Sequence, residues 1–258
     1  MHRSTPAGPR RAPQRALLPL SAFAFLAVLT ACSPEAAGGQ AQEPEEAVSG
    51  AAGPEAGAEA AGAEIATVTG GDIDVFAEPG GEVIETLESP NSFGVDRTFL
   101  VERTKGEWLE VLLPVRPNGS TGWVRSDEVE LSTTLWGLRI DLGEFTFAVN
   151  NGEEEVRSGV IGTGESETPT PPGRYYFTEL LRPPDPDGVY GAYAFGLSGF
   201  SETLETFAGG PGQLAVHGTD DEGALGREVS HGCIRVANDD ITWMAENLPI
   251  GTPVEIDA

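Results

Sequence analysis

Few residues in this chain can act as strong nucleophiles or soft metal ligands. There are two cysteines and three histidines in 258 residues. Cys233, His217 and His231 fall within 17 consecutive positions. The segment reads Ala215-Val216-His217-Gly218-Thr219, then a polar loop with Gly223 and Gly226, then Ser230-His231-Gly232-Cys233-Ile234-Arg235. A cysteine attacks as thiolate, and a free thiol ionises near pH 8.5, so it needs a base or a positive charge beside it. It also needs backbone N–H donors where the oxyanion develops. Gly232, next to Cys233, lets the main chain approach a substrate closely. Two other chemistries use the same residues. His217, His231 and Cys233 could ligate a catalytic zinc, although no H-E-x-x-H helix accompanies them. A structural cysteine with two core histidines is the blander reading.

Residues 133–258 must position this cluster. Leu138-Arg139-Ile140-Asp141 and Phe145 to Val149 alternate as strands, and Asn150-Asn151-Gly152 is a hairpin turn, since Asn-Gly readily takes positive φ. Val156 to Ile161 returns as a strand. A rigid loop with Pro169, Pro171, Pro172 and Gly173 precedes Arg174-Tyr175-Tyr176-Phe177. Ile241, Met244, Ala245 and Leu248 recur at helical spacing, with Asn238 or Asp239 as the cap and Pro249 as the stop. Val254-Glu255-Ile256 closes as a strand. Helices do not alternate with strands, which excludes a doubly wound sheet.

The preceding stretch, 65–132, shows short runs punctuated by Gly and Pro: Ile73 to Phe76, Phe99 to Val101, Trp108 to Leu113 and Gly122 to Val124. This pattern predicts a small β-barrel. W-L-E-V-L-L-P followed by R-P-N-G-S-T-G-W-V resembles bacterial SH3-like domains of cell-envelope proteins. That resemblance implies a wall-binding or spacing module. Trp108 is expected in the core, and Trp123 is left open between core and surface.

Residues 1–31 read as an export signal. Arg3, Arg10, Arg11 and Arg15 precede an apolar run from Ala16 to Ala31, too short to span a membrane comfortably. Leu29-Thr30-Ala31-Cys32 resembles a bacterial lipobox, which implies that Cys32 is lipidated and becomes the mature N-terminus. The expected location is the outer face of the cytoplasmic membrane, in the cell envelope, with the acyl chains as anchor. Ser33 to Glu64 holds 11 Ala, 7 Glu, 6 Gly and 3 Pro and no aromatic residue, so it is expected to stay unfolded as a tether. The formal charge of −26 argues against nucleic acid and against electrostatic docking on anionic lipid. Without residues 1–31 it becomes −30, because four Arg and no acid leave.

The H-G-T segment, with S-H-G-C-I-R bringing Cys233 sixteen residues after His217, resembles the L,D-transpeptidase catalytic domain, the YkuD family. The T-P-T-P-P-G-R-Y-Y-F stretch fits it as well. The resemblance covers about 133–258. It implies a β-rich catalytic domain (133–258), with one or two short helices, so that with the small SH3-like barrel (65–132) the chain is expected to be mainly β. Carried over, Cys233 is the nucleophile and His217 the base. In the family the residue after this histidine orients it through a Ser side chain or a backbone carbonyl. Here it is Gly218, which leaves the carbonyl. His231, Gly232 and Arg235 would supply oxyanion and substrate contacts, with Arg235 pairing a carboxylate in substrate or protein, and Ser230 would shape the motif. The implied reaction joins peptidoglycan stem peptides by 3→3 cross-links through a cysteine thioester, without metal or cofactor, in a monomer. Water in place of the acceptor amine would make it an L,D-carboxypeptidase, and an inert second domain would leave a wall-binding lipoprotein. A carbapenem would acylate Cys233. A papain-like peptidase has Cys before His, and a sortase separates His and Cys much further.

Overall fold

The computed structural model describes residues 62–258. The expected export signal, the lipidation at Cys32 and nearly all of the tether lie outside the described residues. Two large sheets and one α-helix account for the fold, which is mainly β.

The first sheet contains β1 (Ala63–Val68), β2 (Ile73–Phe76), β3 (Val83–Leu87), β4 (Thr98–Lys105), β5 (Trp108–Leu112), β6 (Thr121–Arg125) and β7 (Val129–Thr134). It is antiparallel throughout, in the order β3-β2-β6-β5-β4-β1-β7. Leu87 near one edge and Ala66 and Val68 near the other share one buried cluster with Leu109, Val111 and Val124. Strands that far apart meet in one core only when the sheet curls on itself. Two boundaries move from expectation. Ala63 and Glu64 already belong to β1, and β7 runs past residue 132 to Thr134.

The strand pleat decides where the tryptophans go. Leu109 and Val111 face the core, so Trp108 must face away from it. It is half-buried, edge-on to Phe76 at 5.0 Å, with the Arg125 guanidinium 5.6 Å from its ring. The expectation of Trp108 in the core is therefore corrected. Trp123 lies on the same outer face and is 6% exposed, beneath Arg103 at 5.1 Å.

The second sheet contains β8 (Trp136–Asp141), β9 (Thr146–Asn151), β10 (Glu154–Val160), β12 (Gly173–Leu181), β13 (Ala194–Phe200), β14 (Gln213–His217), β16 (Ile234–Arg235) and β17 (Pro253–Asp257). Its order is β10-β9-β8-β17-β12-β13-β14-β16. A separate short pair joins β11 (Thr163–Gly164) to β15 (Glu228–Ser230). Helix α1 (Asn238–Asn247) lays Ile241 and Met244 into the sheet's core, where they meet Val216, Ile234 and Val236. Its cap is Ala237, not Asn238 or Asp239. The backbone N–H of Asn238 donates instead to Glu222 Oε1 at 2.8 Å, an acceptor brought in from another segment. Among the described residues no helix is long and apolar enough to cross a membrane.

The two sheets pack on each other within one compact unit. Leu100 and Leu112 of the first bury Tyr176 of the second. Asn118 exchanges two 2.8 Å hydrogen bonds with the backbone of Phe200. Arg174 pairs with Glu102 at 2.7 Å.

Candidate active site

The site sits where β14 and β16 run side by side. They are parallel, with Val216 opposite Ile234 and His217 opposite Arg235. One step back along this register, Cys233 comes level with Ala215, whose backbone hydrogen-bonds the thiol. Side chains alternate along a strand, and in-register neighbours share a face. Cys233, Ala215, His217 and Arg235 therefore lie on one face, while Val216 and Ile234 enter the core. The chain returns from His217 to Cys233 through the fifteen residues 218–232.

His217 is 3% exposed. Its Nδ1 lies 2.6 Å from the Gly218 carbonyl. A carbonyl only accepts, so Nδ1 carries the proton and neutral His217 keeps a free lone pair on Nε2. Burial pushes the imidazole down to about 4. The bond to Gly218 works against that shift, and the nearby Arg235 charge adds to it. Tyr190 packs edge-on against the ring at 4.9 Å.

Cys233 is a free, half-buried thiol. Burial raises its pKa, and the Ala215 backbone and Arg235 partly offset this. At neutral pH the resting pair is thus an uncharged thiol and an uncharged imidazole. Such a pair reacts by proton transfer during attack rather than from a preformed thiolate.

The loop before Cys233 is held from three sides. Ser230 Oγ donates to the Cys233 carbonyl at 2.6 Å and accepts the Gly232 N–H at 3.1 Å. Thr170, 4% exposed, donates its hydroxyl to the Gly232 carbonyl and accepts the Gly164 N–H, both at 2.9 Å. Gly232 has φ +119°, which favours glycine. Both backbone groups of Gly232 are therefore engaged within the protein. His231 is exposed and stacks on Phe207 at 5.1 Å. His217, His231 and Cys233 do not converge as metal ligands, and no such group occurs among the described residues.

Arg235 forms no ion pair among the described residues, and its Nε is buried without a hydrogen-bond partner. A carboxylate within the protein, one of its two expected partners, is absent there.

Two further residues were not singled out as site residues from the sequence. Thr170 lies in the proline loop, and its role needs the fold. Asn238 was read as a cap. Its Nδ2 donates to the Thr219 carbonyl at 2.7 Å and its Oδ1 accepts the Thr219 N–H at 3.2 Å. The same Oδ1 would lie 2.2 Å from a Cβ at Gly218, and 2.2 Å from one at Gly191. The Asn238 carboxamide occupies the space a side chain at 218 would need.

A cleft of about 840 Å³ opens on Cys233. Ala215 lies beside the thiol, the segment Phe207 to Gly212 forms one side, and Leu181, Pro183 and Tyr190 form another.

Comparison with known proteins identifies a family for part of the chain. A family model, the L,D-transpeptidase catalytic domain (YkuD), matches residues 137–256. A putative L,D-transpeptidase YkuD of Bacillus licheniformis is 31% identical over 124 residues, covering 48% of this chain and 67% of that protein. The Bacillus subtilis counterpart is 29% identical over 124 residues, with the same coverage. The chain thus spans about two thirds of the length of these relatives. Among solved structures, L,D-transpeptidase 3 from Mycobacterium tuberculosis aligns with TM-score 0.44 and 17% identity, covering 78% of this chain and 93% of that one. Through residues 137–256, this chain belongs to the YkuD family of L,D-transpeptidase catalytic domains.

Proposed function

We propose that the protein is a peptidoglycan L,D-transpeptidase that forms 3→3 cross-links through a thioester on Cys233. The observation that supports this most is the shared face of Cys233 and His217 on adjacent strands, with Nδ1 of His217 committed to the Gly218 carbonyl. That leaves Nε2 as the only basic atom of the ring.

Cys233 Sγ attacks the carbonyl carbon of the L-centre at stem position three, and its proton passes to His217 Nε2. The oxyanion is taken by the main-chain N–H of Cys233, since that of Gly232 is engaged. The C–N bond to the terminal D-Ala breaks, and the departing amine takes the proton from His217. An amine of a neighbouring stem then attacks the thioester, His217 takes its proton, and Sγ leaves and is reprotonated. The bond energy of the cleaved amide is kept in the thioester, so neither step requires a nucleotide. Arg235 receives a substrate carboxylate, a role supported by its having no ion pair among the described residues. The first sheet is read as the SH3-like module, and lipidation at Cys32 as the membrane attachment of a monomer in the cell envelope.

The test is mass spectrometry of products from the full-length protein and a disaccharide-tetrapeptide. A 3→3 dimer that has lost one D-Ala is expected, and Cys233→Ala should abolish it. Loss of D-Ala without dimer would make it a carboxypeptidase. Unchanged substrate together with binding to whole wall would make it a binding protein. A carbapenem is expected to add its mass to Cys233.

A further inference from the structure

The cleft that opens on Cys233 is not built by the second sheet alone. Ser92 and Phe93, from the loop between β3 and β4 of the first sheet, line it beside Glu179, Pro183 and Tyr190. Phe93 is 51% exposed, far above the other phenylalanines that fill the two cores. An aromatic side chain left exposed at a cleft wall is unsatisfied by the protein itself.

The loop that carries Phe93 is fixed. Asn91 Oδ1 accepts the N–H groups of Phe93 at 3.0 Å and Val95 at 3.1 Å, which closes the turn. Asn91 Nδ2 donates to Glu179 Oε2 at 3.0 Å, across the junction of the two sheets. Glu179 is 2% exposed, and its other oxygen accepts from Gln213 Nε2 at 2.9 Å. Gln213 begins β14, the strand that ends in His217. A chain of side-chain hydrogen bonds therefore runs from the Phe93 loop to the strand of the base.

Another part of the cleft lining is also held by the first sheet. The Arg116 guanidinium donates to the carbonyls of Pro211 and Ser201 at 3.0 Å and of Leu204 at 2.9 Å. It also lies over the Phe200 ring at 4.6 Å. These contacts fix the segment that carries Phe207 and Gly212, which lines the cleft.

We propose that the first sheet completes the substrate site, with Phe93 contacting the aliphatic part of the acyl-donor stem peptide and Asn91 positioning it. The occupant is the donor peptide, because the tetrapeptide must lie in the cleft that holds Cys233 before any acceptor has a thioester to attack. The inference rests on the transpeptidase reading, and two measurements separate their failures.

The first is steady-state kinetics of the full chain with the disaccharide-tetrapeptide donor. Phe93→Ala should raise KM about five- to tenfold with kcat within about twofold, and Phe93→Leu should restore most of it. Asn91→Ala should raise KM in the same way. The second is calorimetric binding of the donor to Cys233→Ala with and without Phe93→Ala, where Kd should rise by a similar factor. Unchanged KM and Kd would overturn the proposal. A Phe93→Ala protein with a lowered thermal midpoint and depressed kcat would also overturn it, since that marks a structural role. If wild type does not turn over but Phe93→Ala still weakens donor binding, the composite site stands and the transpeptidase reading falls. If the donor neither reacts nor binds, both fall.

Discussion

Asn238 grips Thr219 with both ends of its carboxamide, donating to the carbonyl at 2.7 Å and accepting the N–H at 3.2 Å. Thr219 is two residues beyond His217, and the Gly218 carbonyl between them holds Nδ1. The peptide that orients the imidazole is thus held by the first residue of α1.

Removing that grip should uncouple the ring. Asn238→Ala leaves the buried Thr219 N–H and carbonyl without side-chain partners, at about 1–3 kcal/mol of stability in total. kcat should fall about tenfold as the imidazole loses its fixed orientation. Asn238→Asp should not rescue, because a carboxylate cannot donate to the Thr219 carbonyl. Urea midpoints and turnover of the two variants check this.

Thr170→Val is nearly isosteric and removes one hydroxyl. It leaves the Gly164 N–H and the Gly232 carbonyl unpaired, since both bonds pass through that oxygen. A loss of about 2 kcal/mol is expected. Acylation of Cys233 should slow with little change in donor affinity, read by intact mass against time. Thr170→Ser should retain most of the rate.

Stability should fall in mild acid. His217 titrates near pH 6.5 unfolded and about 4 folded, pushed down chiefly by burial. Between those values the unfolded chain holds the extra proton, so unfolding gains as pH drops. The contribution is intact above pH 6.5 and fades toward pH 4, a loss of ~3 kcal/mol at about 1.4 kcal/mol per pH unit. His217→Gln should flatten that part of a denaturant-midpoint curve against pH.

Iodoacetamide should label resting Cys233 slowly at pH 7. Burial holds the thiol above its ordinary value, and the bond to Ala215 and the Arg235 charge only partly compensate. The labelling rate should keep rising beyond pH 9. Arg235→Ala should slow it further, by removing a cation that favours thiolate. A plateau below pH 8 would contradict the uncharged resting pair.

The mainly β class and the Ser230-to-Arg235 motif were legible because both are local. Alternation and turn residues mark strands within a few positions, and S-H-G-C-I-R is contiguous. Thr170 and Asn238 were not legible, because their partners lie 62 and 19 residues away. Those distances close only after β11, β15 and α1 have packed. The hold on Gly232 is only half local: its acceptor Ser230 is near in sequence, but its donor Thr170 is not. Trp108 was misplaced although the alternation with Leu109 and Val111 was readable. Asn238 is a good cap type at a helix start, yet its side chain found a better partner in Thr219. Glu222 arrived to take its N–H, a tertiary contact that local propensity does not contain.

Neighbouring strands in a sheet are spaced by their hydrogen bonds, at about 4.8 Å. β14 and β16 use that spacing as a ruler: Cys233 sits one strand across and two residues along from His217. The crossover between them is tied at Thr219 and Glu222, which Asn238 engages, at Gly226 and Arg227, whose backbones bond Ile161 and Thr163, and at β15, which holds Ser230 in place. Insertions beside the exposed Gly223 should lengthen the loop while leaving those ties and the reacting pair in place. This is where the scaffold can accept new sequence, a tag or a recognition element, without retuning the chemistry.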